Sequence, residues 1–154
     1  MALSLSVDTR EAFEKSKSAL GSSGLELARR ARASANDRSG ERDRLLETIV
    51  RDYREGDRQA WSAVLLDVLT PAILKQLRCY RPEAPGIELN DLRNQFLVEL
   101  LDAAAGMPLP PGARFLERRL ILRAGQGVRR WLKKETRWRA ACQPLECLTE
   151  EGTR

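Results

Sequence analysis

The stretch ARFLERRLILRAGQGVRRWLKKETRWR, residues 113–139, decides the fold. Leu116, Leu120, Ala124, Val128, Trp131 and Leu132 recur at the three- and four-residue spacing of a single helical face, with charged side chains between them. The pattern predicts one long amphipathic helix from about Ala113 to Arg139. Such a helix cannot bury its apolar stripe alone, so the rest of the chain must supply partners. Gly125 and Gly127 interrupt the pattern, each costing about 0.8–1.0 kcal/mol relative to Ala in a helix interior. They predict either a bend or a close contact with a neighbouring helix.

The partners lie upstream. Leu45, Leu46, Ile49, Val50 and Tyr53 form one helical face, with Gly56 placed to close the helix in a left-handed turn. Asp57 can cap the next helix, whose Trp61, Val64, Leu65, Val68 and Leu69 repeat the spacing. Pro71 marks either a kink or a restart with Thr70 as cap, and Ile73, Leu74, Leu77 and Tyr80 carry the face onward. Arg81 to Gly86 reads as a loop. Asn90 or Asp91 then opens a helix lined by Leu92, Phe96, Leu97, Leu100 and Leu101. Gly106-Met107-Pro108-Leu109-Pro110-Pro111-Gly112 is a connection, because its three prolines and two glycines forbid a helix. No alternating run rich in Val, Ile and Thr is present. The expected fold is all-α, a small helical bundle.

Residues 1–40 differ in composition, with eight serines, seven alanines and a single aromatic, Phe13. They read as a flexible, partly helical arm, with Asp8 capping a helix over 9–20 and Ser23 another over 24–35. The expected organisation is this arm, a helical domain over 41–139 and a C-terminal tail over 140–154.

The composition excludes several functions. The 154 residues contain no His, three Cys and eight aromatics. Without His there is no Ser-His-Asp or Cys-His catalysis and no His-ligated zinc. Cys142 and Cys147 have roughly metal-ligand spacing, but Cys79 is the only further thiol, so no metal is expected. Carboxylate pairs such as Asp52 with Glu55 have surface positions, and no phosphate-cradling glycine loop occurs. Neither an enzyme activity, a small-molecule substrate nor a cofactor is expected. Three cysteines make no disulfide framework, the N-terminus lacks the basic n-region of a secretory signal, and no apolar run approaches the roughly 20 residues of a membrane span. A cytoplasmic protein without membrane contact is expected.

The net charge of +5 is concentrated. Residues 114–139 hold ten basic and two acidic side chains, eight of the ten being Arg. Such a helix suits a polyanion, and Arg favours bidentate phosphate or guanine contacts. Trp131 and Trp138 interleave with the charge. Either could stack on unpaired bases, and Trp131 also falls at a core position.

Three segments, in order, resemble region 2 of sigma-70-type RNA polymerase sigma factors, especially the extracytoplasmic-function group. Gly56-Asp57-Arg58-Gln59-Ala60-Trp61 is similar to the GD-x-x-A-[FW] start of that region. Asp91-Leu92-Arg93-Asn94-Gln95-Phe96-Leu97 resembles the D-L-x-Q-x-x-F helix that such factors press against the polymerase. Leu120 to Ala124 with Val128 to Glu135 resembles the helix facing the −10 promoter element. Here Arg119 stands for the motif's Trp, Gln126 for its Asn, Arg130 for its Asp, and Asn94 for the Gln of the second motif. The loop at the melting position, Gly106 to Gly112, has no aromatic.

The resemblance covers about residues 43–139. It implies a bacterial transcription-initiation protein that binds the clamp region of RNA polymerase core and promoter −10 DNA. Asp91, Leu92 and Asn94 would contact the polymerase, joined by Gln95 and Glu99 from their positions on the same helix. Arg119, Arg123, Gln126, Arg129, Arg130, Lys133, Lys134 and Arg137 would face DNA. The 154 residues leave no room for the family's helix-turn-helix domain, so a second protein supplying −35 recognition is expected. The alternatives are a helical DNA-binding regulator without polymerase contact, or a protein–protein module whose Trp61-bearing helices pair with another helical chain.

Overall fold

The computed structural model describes residues 20–36, 40–80 and 86–142. Among these, the chain is all-helical. Helix α1 covers 20–33 and leads into a short 3-10 turn at Ser34–Asn36; α2 is Glu41–Glu55, α3 Arg58–Leu77, α4 Leu89–Gly106 and α5 Leu116–Cys142. The expected small all-α bundle is what forms. Its core is aliphatic, as the scarcity of aromatics requires: Leu46, Ile49, Leu65, Leu69, Ile73, Leu77, Leu92, Leu100, Leu116 and Leu120 are essentially inaccessible to water. Phe96 is the one fully buried aromatic among the described residues, edge-on to Tyr80 with ring centroids 6.5 Å apart. Helix α3 is long and apolar enough to cross a membrane by length and composition, but eight of its residues are buried in the bundle.

Local rules explain most helix ends. The Asp57 carboxylate accepts the N–H groups of Gln59 and Ala60, at 2.9 and 3.2 Å, and starts α3 as expected. Gly56 closes α2 in a different way from the expected left-handed turn. Its φ is −104°, and its N–H donates to the Asp52 carbonyl at 2.8 Å. A Cβ there would lie 2.8 Å from that oxygen and 3.3 Å from Trp61 Nε1, so glycine is needed for close approach. Helix α3 runs through Pro71 without restarting, and the Thr70 hydroxyl bonds back to the Leu66 carbonyl inside the helix.

Two boundaries differ from the expected ones, the first through a local capping box and the second through a tertiary contact. Helix α4 begins at Leu89, so Asp91 sits two residues inside it and its carboxylate accepts the Glu88 N–H at 3.2 Å. Helix α5 begins at Leu116, not Ala113. Asp43, on the first turn of α2, accepts the N–H groups of both Phe115 and Leu116, at 2.8 and 2.9 Å. Phe115 is held there at φ 56°, the one non-glycine residue with positive φ among the described residues.

The arm expected over 1–40 is more integrated than its composition suggests. One helix spans 20–33, so Ser23 lies inside it, and Leu20, Ala28 and Ala31 are buried in the common core. Small residues let α1 approach closely: a Cβ on Gly24 would touch the Trp61 ring at 3.4 Å. Trp61, considered for pairing with another chain, is therefore covered in part by α1. The expected helix over 9–20 falls almost wholly outside the described residues, as do most of the Arg81–Gly86 loop and of the C-terminal tail.

Asp43→Ala should lower stability by about 1–2 kcal/mol, the range for loss of a helix N-cap, read as a shifted urea midpoint with the helical circular-dichroism signal kept. The Asp52 carboxyl is pushed above its ordinary value, first by burial and then by the neighbouring Glu55 charge, with Arg51 opposing. A carboxyl raised in the folded state favours folding when protonated, and that contribution is lost as pH rises through the folded value. Asp52→Asn should therefore raise the urea midpoint at neutral pH, and the gain should vanish in acid below the usual aspartate range.

Candidate functional site

Helix α5 divides its surface sharply. Leu116, Leu120, Ile121, Ala124, Gly125, Gly127 and Val128 face the core. On the opposite side Arg119, Arg123, Gln126, Arg130, Lys133 and Arg137 follow one another at i, i+4, i+7, i+11, i+14 and i+18. This is a single outward stripe about 27 Å long. Arg129 and Lys134 flank it, both exposed. The two acids of α5 lie on the flank turned toward the bundle, each already paired: Glu117 with Arg42, and Glu135 with Arg139 at 2.9 Å. The stripe thus contains no acid. Among the described residues no side-chain hydrogen bond or ion pair engages Arg123, Gln126, Arg129, Arg130, Lys133, Lys134 or Arg137. Arg119 is the exception, half-exposed and donating to the Pro108 carbonyl at 3.2 Å, which ties it to the α4–α5 connection.

The two glycines of α5 make close contacts. The Tyr80 hydroxyl donates to the Gly125 carbonyl at 3.1 Å, and a Cβ on Gly125 would sit 2.9 Å from that hydroxyl. The Glu99 carboxylate lies over Gly127, in space a Cβ would take. Helices α4 and α5 run antiparallel, with Glu99 beside Gly127 and Asp91 beside Glu135 and Arg139. A shallow groove of about 320 Å³ opens between them, lined by Asp91, Asn94, Gln95, Val98, Trp131, Glu135 and Arg139.

Four of the five residues expected to meet a polymerase reach this region, and one does not. Asp91 and Asn94 are exposed on the groove wall; Gln95 is half-buried and donates to Glu99 at 3.0 Å. Leu92 is fully buried in the core and cannot touch a partner, because its position on α4 belongs to the Phe96–Leu100 stripe. Val98, half exposed, escaped the sequence reading, although it falls off that stripe. Trp131 is half-buried on the α5 wall, and Trp138 is 62% exposed. Phe115, 69% exposed at the end of the connection, was also missed, since beside Leu116 it looks like core.

No family model, curated protein or solved structure matches the chain. The chemistry of the surface therefore stands on its own geometry. An acid-free row of guanidinium and ammonium groups at helical pitch, interrupted only by the Gln126 amide, attracts polyanions and can chelate phosphates. The groove offers carboxylates, amides and an indole wall, which suit a polar and apolar protein segment. Among the described residues no cluster of His, Cys, Asp or Glu could hold a metal ion. Cys79 is exposed, with its thiol 3.6 Å from the Lys75 carbonyl.

Arg130→Glu combined with Lys133→Glu should elute from immobilised heparin at much lower salt than the parent chain, with an unchanged circular-dichroism spectrum.

Proposed function

We propose that this chain is a sigma-like transcription protein that engages RNA polymerase core through the α4–α5 groove and −10 promoter DNA through the outward stripe of α5. The observation that carries this reading is the adjacency of the two surfaces. Asp91, Asn94 and Gln95 share one groove wall, and the acid-free basic stripe runs along the helix forming the other wall. A protein that positions DNA on a polymerase needs both kinds of surface on one rigid unit. In this reading the phosphate contacts anchor and the neighbouring side chains discriminate.

A second reading, a DNA-binding regulator without polymerase contact, draws support from the groove itself. Asp91 already serves the N-terminus of α4 and Gln95 already bonds Glu99, so both have structural work without a partner.

A pull-down of bacterial RNA polymerase core with the purified chain separates the two. Asn94→Arg is the informative variant, because Asn94 is exposed and makes no side-chain bond with a described residue. The sigma-like reading expects core retained by the parent and lost by the variant, with oligonucleotide binding equal in both. No retention by either, with oligonucleotide affinity that falls steeply as salt rises, gives the second reading.

A further inference from the structure

We propose that α5 lies in the major groove of duplex DNA and reads A·T base pairs there, Gln126 by hydrogen bonds to an adenine and Leu122 by apolar contact with a thymine methyl. This rests on the reading that the outward face of α5 binds DNA, and names what that face selects.

Two members of the outward face carry no charge. Leu122 is 53% exposed and belongs to none of the buried rows of α5. Gln126 follows it by four residues, so the two side chains are neighbours on the helix surface, about 6 Å apart along the axis. Gln126 is exposed, and among the described residues no hydrogen bond engages its amide. The residues on either side of it, Gly125 and Gly127, have no side chain to crowd it.

Charge flanks this neutral pair on both sides. At about 100° per residue, Arg118 and Arg129 fall on one side of the line from Leu122 to Gln126, and Arg123 and Arg130 on the other. All four are exposed. A neutral strip between two cationic edges matches the major groove, where base edges form the floor and phosphates line both walls. That groove is about 12 Å wide and admits an α-helix.

The chemistry of the pair selects the base. The Gln126 amide both donates and accepts, which answers the N7 acceptor and N6 donor of adenine. Guanine offers two acceptors at the same edge and would leave the amide oxygen unmet. Leu122 has no polar atom to answer any base edge, and thymine is the base with a methyl group in the groove. The 6 Å between the two side chains spans about two base-pair steps of roughly 3.4 Å, so both A·T pairs fall within about three consecutive base pairs. A single strand suits the face less well. Between Arg119 and Arg137 it carries no aromatic for stacking, since Trp131 lines the groove shared with α4.

Selection from randomised duplex oligonucleotides by the full chain tests this. Enrichment of closely spaced A·T pairs is expected. In a selected duplex, 7-deazaadenine in place of the read adenine should weaken binding about fivefold, the loss of one hydrogen bond. Uracil in place of the read thymine should weaken it about threefold, the worth of one buried methyl. Gln126→Ala should be indifferent to 7-deazaadenine yet still sensitive to uracil, and Leu122→Ala the reverse. Both residues are exposed, so circular dichroism should show the fold intact. Salt-sensitive retention of duplexes without base enrichment overturns the inference and leaves the phosphate-binding stripe standing. Tighter binding of a single strand than of the duplex also overturns it, as does a Gln126→Ala chain that still responds to 7-deazaadenine. Retention of no oligonucleotide overturns it together with the DNA reading on which it rests.

Discussion

The first turn of α2 holds the bundle together. Arg42 is only 12% exposed in its side chain, and its guanidinium donates to Glu117 on α5, to the Ala31 carbonyl on α1 and, at 3.5 Å, to the Val68 carbonyl on α3. A charge so far from water is tolerated only when its donors are met. The fixed fork of arginine meets three acceptors at once, which a lysine could not do with the same geometry. One residue later, Asp43 holds the two N–H groups at the start of α5. Adjacent side chains of opposite sign therefore join α1, α3 and α5 to α2.

The functional surfaces follow from that anchorage. Asp43 caps the N-terminus of α5, the Tyr80 hydroxyl bonds Gly125 and the Glu99 side chain packs over Gly127, which together set the face α5 turns to the core. The outward stripe is what remains after the core rows are committed. The polar side chains of α2 also fix the connection before α5. Arg54 donates to the carbonyls of Ala104 and Met107, and Glu47 accepts the Gly112 N–H. The segment expected at the melting position, Gly106 to Gly112, is therefore bonded at both ends, and Phe115 stands in solvent just beyond it.

The stripe and the groove lie side by side on one helix but respond differently to the medium. The stripe acts through charge that water and salt screen, whereas the groove and the exposed Trp138 act through apolar area and short polar contacts. A single helix can thus hold a polyanion on one face and a protein on the next.

Much of this was legible in the sequence. The apolar spacing in α2, α3, α4 and α5 follows from the 3.6-residue period, and the Asp57 cap and the concentration of Arg on α5 need no structure to see. Their causes are local. The remainder depends on residues far apart in the chain. Asp43 caps a helix more than seventy residues away, so the start of α5 could not be read from Ala113 to Leu116. Gly125 and Gly127 signalled a bend or a contact equally well until Tyr80 and Glu99 filled the space. Leu92 shares a motif with Asp91 and Asn94, yet helical rotation turns it inward and them outward. Residues 20–33 looked too poor in large apolar residues to pack, but small side chains allow close approach, a gain invisible to a count of hydrophobic residues. By itself, then, the sequence determined the helices, the aliphatic core and the place of the charge, because these arise from neighbours within a few turns. Only the tertiary structure decided the cap of α5, the groove and the exposure of Trp138, because those depend on which elements pack against one another.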